Sequence, residues 1–272
     1  MIPERLLRIL RTSESNESAR FPPTEVFNEG WMLRLVLDAI QDRRPTSPLV
    51  FEENATWYSE ALLASPFAAQ QRSDALAEGF TNADAVVGHF AFRPNTRAGL
   101  KLAKDATQFV VVEAKMFSNL SSGTKNAPGY NQAARNVACM ARAIADAGRT
   151  PDDFTSLGFF VTAPEKEKRR RGFSNLEESL EPTRIREAVH HRIRAYEDRT
   201  RKEAGVLRNW EATSFLPLVR RLEERGWLKV LTWESCIDAI ADKDKQAGAE
   251  IRSFYERCLS FSSIEQMDPA AE

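Results

Sequence analysis

Glu113 and Lys115, in Phe109-Val110-Val111-Val112-Glu113-Ala114-Lys115, set a carboxylate and an ammonium two residues apart behind three consecutive valines. A β-branched run of this kind predicts a strand buried on both faces. Alternate residues of a strand point the same way, so the two charges share a face, with backbones about 6–7 Å apart. Burying either charge alone is costly, and a divalent metal would suit the glutamate. A second acid, Asp84, opens the preceding strand in Thr81-Asn82-Ala83-Asp84-Ala85-Val86-Val87-Gly88. If these strands pair antiparallel, Asp84 and Glu113 converge on one ion through hard oxygen donors, a set that suits magnesium and its retained waters. Lys115 would then contact one of those waters or the phosphate under attack.

Two helices offer further groups. Glu29, in Asn28-Glu29-Gly30-Trp31, precedes Leu33 by four residues and Val36 by seven, which puts it on the stripe expected to face the core. The helix dipole alone also favours a glutamate in a first turn. Gln132 and Asn136 follow the Glu-x-Lys strand at i and i+4 and share a helix face. Gln132 could reach the site or cap its helix, and Tyr130 has the same two options. The densest basic run, Lys166, Lys168, Arg169, Arg170 and Arg171, could grip phosphates in a salt-sensitive way. As a solvated charge run it would be offset by Glu165 and Glu167. His190 and His191 sit in a charged helix, where exposed or capping histidines are the default, and His89 stands at odd spacing from Asp84, so it should face away from the site.

The elements that must position these groups read as follows. Residues 3–12 are amphipathic, and a polar loop precedes a helix whose apolar residues Leu33, Val36, Leu37 and Ile40 recur at helical spacing. Residues 57–78 read as a helix broken near Pro66, Ala83–Phe92 as a strand, and Pro94–Thr107 as an exposed connection. Gln108–Met116 is the second strand, Ser118–Gly129 a loop, Asn131–Ala147 a helix closed by Gly148, and Leu157–Thr162 a third strand. Residues 165–225 are charged and helical with interruptions at Pro182 and Pro217, Trp227–Thr232 is a late strand, and Trp233 to about Leu259 is helical. This mixture predicts an α/β fold with a mixed sheet flanked by helices. One domain is expected over 1–272: a core at about 25–165, a basic helical insertion at 165–225, a strand and helix at 226–260, and a frayed tail at 261–272.

Composition narrows the function. The 272 residues are 42% hydrophobic and 28% charged, and 38 Lys+Arg against 39 Asp+Glu leave a formal charge of −1. Any nucleic-acid contact must therefore come from a local basic face rather than a polybasic sheath. Cys139, Cys236 and Cys258 are widely separated, which argues against a disulfide framework, a zinc knuckle or an iron–sulfur cluster and for small buried side chains in a reducing compartment. No apolar run approaches the roughly 20 residues of a bilayer span, and Met1–Arg5 lacks the apolar stretch of a secretory signal. A cytoplasmic protein with no membrane partner is expected. There is no Gly-rich phosphate loop, so nucleotide hydrolysis is not expected.

From Glu29 to Thr162 the order of acidic helix, Asp84 strand, Glu113-Ala114-Lys115 strand, Gln132 helix and further strand resembles the PD-(D/E)xK nuclease superfamily. The resemblance implies a restriction-endonuclease-like core, here with additional C-terminal helices. It implies that Asp84 and Glu113 hold catalytic Mg²⁺, with Mn²⁺ able to substitute, helped by the Ala114 carbonyl, while Lys115 orients or activates water. Glu29 matches the first-helix glutamate of many members, and Gln132 resembles a glutamine that follows the core motif in a subset. Ala83 departs from the proline of the family name, a position that varies. The function implied is metal-dependent hydrolysis of nucleic acid, DNA before RNA, as an endonuclease or other DNA-processing or antiviral defence effector. A partner ATPase or helicase, or a homodimer, would supply specificity. The alternative is a non-catalytic nucleic-acid-binding or assembly subunit on the same fold.

Overall fold

Seven consecutive buried residues, Gln108–Ala114, form the central strand of a five-stranded mixed sheet in the computed structural model. The structure describes residues 2–12, 20–47, 49–69, 74, 76–124, 127–165, 176–197 and 201–265. In chain order the strands are β1 (Thr56–Ala64), β2 (Phe80–Gly88), β3 (Phe90–Phe92), β4 (Leu100–Leu102), β5 (Gln108–Ala114), β6 (Gly123–Thr124), β7 (Ala127–Pro128), β8 (Ser156–Ala163) and β9 (Leu228–Thr232). The helices are α1 (Ile2–Thr12), α2 (Glu29–Arg43), α3 (Gln132–Asp146), α4 (Leu176–Ser179), α5 (Pro182–Glu197), α6 (Arg201–Trp210), α7 (Leu216–Glu224), α8 (Trp233–Lys243) and α9 (Lys245–Glu265). They fall into two compact units, Phe51–Leu231 and the combination of Met1–Val50 with Thr232–Glu272. The expected core of 25–165 therefore draws its first residues from the second of these.

The Phe51–Leu231 unit carries the sheet, in the order β1-β2-β5-β8-β9. β1 and β2 pair antiparallel, as do β2 and β5, whereas β5 and β8 run parallel. A parallel pair needs a crossover connection, and α3 supplies it. Asn131 caps α3 by accepting the Ala134 N–H at 2.8 Å, and Gly148 ends the turn beyond it at φ 67°. Ala133, Ala134, Ala138 and Ala141 are buried along α3, and their small side chains let it lie close to the sheet. Phe109 and Val111 of β5 and Leu157, Phe159 and Val161 of β8 share one buried cluster with α3. Each such side chain contributes about 1.5–3 kcal/mol by leaving water. Val110, Val112 and Ala114, the alternate row, are buried as well, as the triple valine requires.

Several elements differ from expectation. Residues 56–64 form β1, not part of a helix, because pairing with β2 overrides the helical propensity of Ala61-Leu62-Leu63-Ala64. The strand expected over 83–92 breaks at Gly88, where φ is 145° and a Cβ would lie 2.1 Å from the Gln108 carbonyl oxygen. The expected connection after it contains β4, which pairs with β3 and buries Leu100 and Leu102. Pro217 does not interrupt its helix. It sits in the first turn of α7, where a missing N–H is tolerated, behind a π turn at Glu211–Phe215.

The other unit is helical. Asn28 caps α2 by accepting the Trp31 N–H at 3.0 Å, and Met32, Leu33, Val36, Leu37 and Ile40 form its buried stripe. Arg43 pairs with Asp244 at 2.8 Å, between α8 and α9. Tyr255 donates to Glu234 at 2.6 Å, and both are buried. Phe27 packs against Phe254 and Phe261. All three cysteines are buried and unbridged. Among the described residues no helix is long and apolar enough to cross a membrane.

Candidate functional site

The β2–β5 register pairs Ala85 with Val112, so the next step sets Asp84 opposite Glu113. On the far side of β2, Ser59 pairs with Ala85 and Ala61 with Ala83, and between them Glu60 takes a left-handed φ of 58°. A non-glycine residue there costs about 1–2 kcal/mol, and the irregularity stands directly across from Asp84. The Asp84 carboxylate turns to the end of β5, where its Oδ2 accepts the buried Ala114 N–H at 2.7 Å. Since N–H and C=O of one strand residue leave on the same edge, the Ala114 carbonyl faces the Asp84 side as well.

Glu113 and Lys115 end the row begun by Phe109 and Val111. Their positions are fixed by the parallel pairing with β8, which runs one step past the strand. The Lys115 N–H donates to the Thr162 carbonyl at 2.8 Å, and Thr162 Oγ1 donates to the Glu113 carbonyl at 3.1 Å. Lys115 Nζ lies 3.5 Å from Glu113 Oε2 and 3.9 Å from Asp84 Oδ2. The glutamate is 0% exposed, while the aspartate side chain is 28% exposed. The site is thus open on the Asp84 side and closed behind Glu113.

α3 provides the closure. Gln132 Nε2 donates to Glu113 Oε2 at 2.5 Å, and Asn136 Nδ2 donates to Glu113 Oε1 at 2.8 Å. The Gln132 amide is oriented from its other end, since its Oε1 accepts the Ser121 N–H at 3.2 Å and its own N–H returns to the Ser121 carbonyl at 2.8 Å. The loop after β5 is thereby tied to the first turn of α3. Asn136 Nδ2 also reaches the Gln132 carbonyl at 3.1 Å, while its Oδ1 is buried with no hydrogen-bond partner among the described residues. An unsatisfied buried acceptor of this kind costs about 1–3 kcal/mol.

The electrostatics are those of a crowded acidic pair. Burial, and then the charge of Asp84, push the Glu113 carboxyl well above its ordinary value, outweighing the Lys115 ammonium and the Asn136 amide. Positive charge placed between the acids would relieve both causes. Asp84, Glu113 and the Ala114 carbonyl are hard oxygen donors of the kind a divalent cation of the Mg²⁺ class takes. Among the described residues no third His, Cys, Asp or Glu joins them, so the other ligands of such an ion would be water or phosphate oxygens.

The structure therefore brings together Asp84, Glu113, Ala114, Lys115 and Gln132 of the sequence-derived set. Glu29 belongs to the helical unit, half-buried in the first turn of α2 beside Cys258. Lys166, Lys168, Arg169, Arg170 and Arg171 lie outside the described residues. Tyr130 neither caps α3 nor reaches Glu113. It is buried in the core, edge-on to Phe67 with ring centroids 5.4 Å apart. His89 sits at the opposite end of the sheet, its Nδ1 accepting the Thr107 and Gln108 N–H groups. Asn136 is the participant whose contact with Glu113 the sequence reading left unassigned, though its shared face with Gln132 was the available signal.

No protein-family model, curated protein or solved structure matches the chain.

Proposed function

We propose that the chain is a metal-dependent nuclease, hydrolysing phosphodiester bonds of nucleic acid with DNA as the first substrate to test. The observation that carries the reading is the meeting of Asp84 and Glu113, from adjacent strands, with the Lys115 ammonium within 3.5–3.9 Å of both. The order of β2, β5, α3 and β8 supports a restriction-endonuclease-like core as the frame. Asp84, Glu113 and the Ala114 carbonyl would hold Mg²⁺ or Mn²⁺. When bound, such an ion supplies Lewis-acid polarisation of the phosphate and a more acidic water. Lys115 then holds a non-bridging phosphate oxygen or the attacking water, as its ammonium emerges on the face shared with Glu113. Gln132 keeps the Glu113 carboxylate from rotating out of that geometry. With a net charge of −1, sequence choice would come from a partner protein or a second copy rather than from this chain's overall field.

Purified chain incubated with supercoiled and linear DNA in Mg²⁺ or Mn²⁺ tests this, with calorimetric Mn²⁺ titration alongside. Cleavage that needs the ion and disappears in Asp84→Asn supports the nuclease. The small number of acidic ligands among the described residues favours one second reading, a nucleic-acid-binding or assembly subunit in which Lys115 neutralises the pair. DNA binding with no Mn²⁺ uptake would select it.

A further inference from the structure

We infer that Asn136 is a positioning residue, present to hold the Glu113 carboxylate in its ligating orientation; the inference rests on the metal-site reading above. Three observations converge on it. Asn136 is fully buried in the middle of α3, at a level of the helix otherwise occupied by Ala133, Val137 and Met140. Its Nδ2 is spent on two acceptors, Glu113 Oε1 at 2.8 Å and the Gln132 carbonyl at 3.1 Å. Its Oδ1 has no hydrogen-bond partner among the described residues. A residue selected for packing would be apolar there, because the orphaned oxygen is a standing cost. What the amide supplies in return is a directed donor to the one Glu113 oxygen that Gln132 and Lys115 do not touch. With Gln132 on Oε2 and Asn136 on Oε1, the carboxylate plane is fixed from both sides by one rigid helix. Partners of this kind govern how well a ligating group meets its metal.

Asn136→Leu tests it, since leucine matches the shape and removes both the donor and the orphaned acceptor. The full chain is titrated with Mn²⁺ by calorimetry, and cleavage is measured against Mn²⁺ concentration. Expected is a 10–100-fold weaker Mn²⁺ affinity, an equal rise in the Mn²⁺ needed for half-maximal cleavage, and a cleavage rate that recovers at saturating ion. The metal-free melting temperature should fall, because the buried Glu113 Oε1 loses its donor. Asn136→Ala serves as the second variant, with the same loss of affinity expected. Unchanged Mn²⁺ affinity in either folded variant, with only a lower melting temperature, would make the residue structural and overturn the inference. Wild-type chain that takes up no Mn²⁺ would overturn both this inference and the nuclease reading, whereas Mn²⁺ uptake unaltered by the variants overturns this one alone.

Discussion

Asp84 Oδ2 accepts the Ala114 N–H at 2.7 Å, so the acid standing opposite Glu113 also closes the end of the β2–β5 ladder. Charge and hydrogen bonding can therefore be separated at this position. Asp84→Asn keeps an acceptor oxygen and should unfold within about 1 kcal/mol of wild type, yet lose Mn²⁺ binding and cleavage. Asp84→Ala should lose the same functions and a further 1–3 kcal/mol or so, because a buried N–H is left unpaired. Urea unfolding of both variants decides, and equal stability would show that the Ala114 bond contributes little.

Lys115→Ala should cut the cleavage rate by about 10²–10³, the usual loss when a donor to developing oxyanion charge is removed. The far-ultraviolet circular dichroism should not change. Wild-type cleavage in Mg²⁺ by this variant would refute the role assigned to the ammonium.

For Glu113 the sign of the pH effect follows from its raised pKa. The folded chain holds that proton more tightly than the unfolded chain, whose value is near 4.5. Folding takes up a proton between those two values, so this group's contribution is fully present below 4.5 and is lost as pH rises through the folded value. Metal-free protein should therefore be less stable at pH 8 than at pH 5 on account of this residue. Glu113→Gln should flatten the slope, raise the melting temperature at pH 8, and abolish Mn²⁺ binding. Each kcal/mol gained corresponds to about 2–4 °C in a chain of this size. A Gln variant less stable than wild type at pH 8 would identify the carboxylate as a net structural contact.

Gly88→Ala should destabilise by about 2 kcal/mol or more, since the new Cβ meets the Gln108 carbonyl oxygen at 2.1 Å and φ is 145°. Equilibrium unfolding measures it, and a loss under 0.5 kcal/mol would mean the strands move apart freely. The site lies four residues back along β2 and at the other end of β5, so Mn²⁺ affinity should be retained in whatever fraction stays folded.

The constellation was legible where local sequence and burial agree. The valines ahead of Glu113 marked a central strand, and the alanines with Asn131 and Gly148 delimited α3. Asp84, expected to open its strand, stands instead in the middle of β2, because Phe80–Ala83 already pair with Ala61–Ala64 of β1. β1 was not legible because Ala61, Leu62 and Leu63 favour a helix in isolation, and only the pairing of this segment with β2 makes it a strand. The β3–β4 hairpin was hidden for a related reason. Leu100 and Leu102 flank an exposed Lys101, and three residues of alternation amid charged neighbours are too few to distinguish a short strand from a loop. Asn136 shows a different limit. Its spacing from Gln132 placed it on the right face, but which carboxylate it would hold depends on how deeply α3 sits over the sheet.

The clasp on Glu113 is built from neighbours in the chain, with Gln132 nineteen positions on and Asn136 twenty-three. Short loops cost little entropy to close, so the carboxylate and both amides can reunite whenever β5 and α3 dock. Asp84 joins from thirty positions upstream of Ala114, through the β2–β5 pairing. Loosening β2 from β5 would thus take Asp84 from the Ala114 N–H while leaving the Gln132 and Asn136 bonds to Glu113 in place.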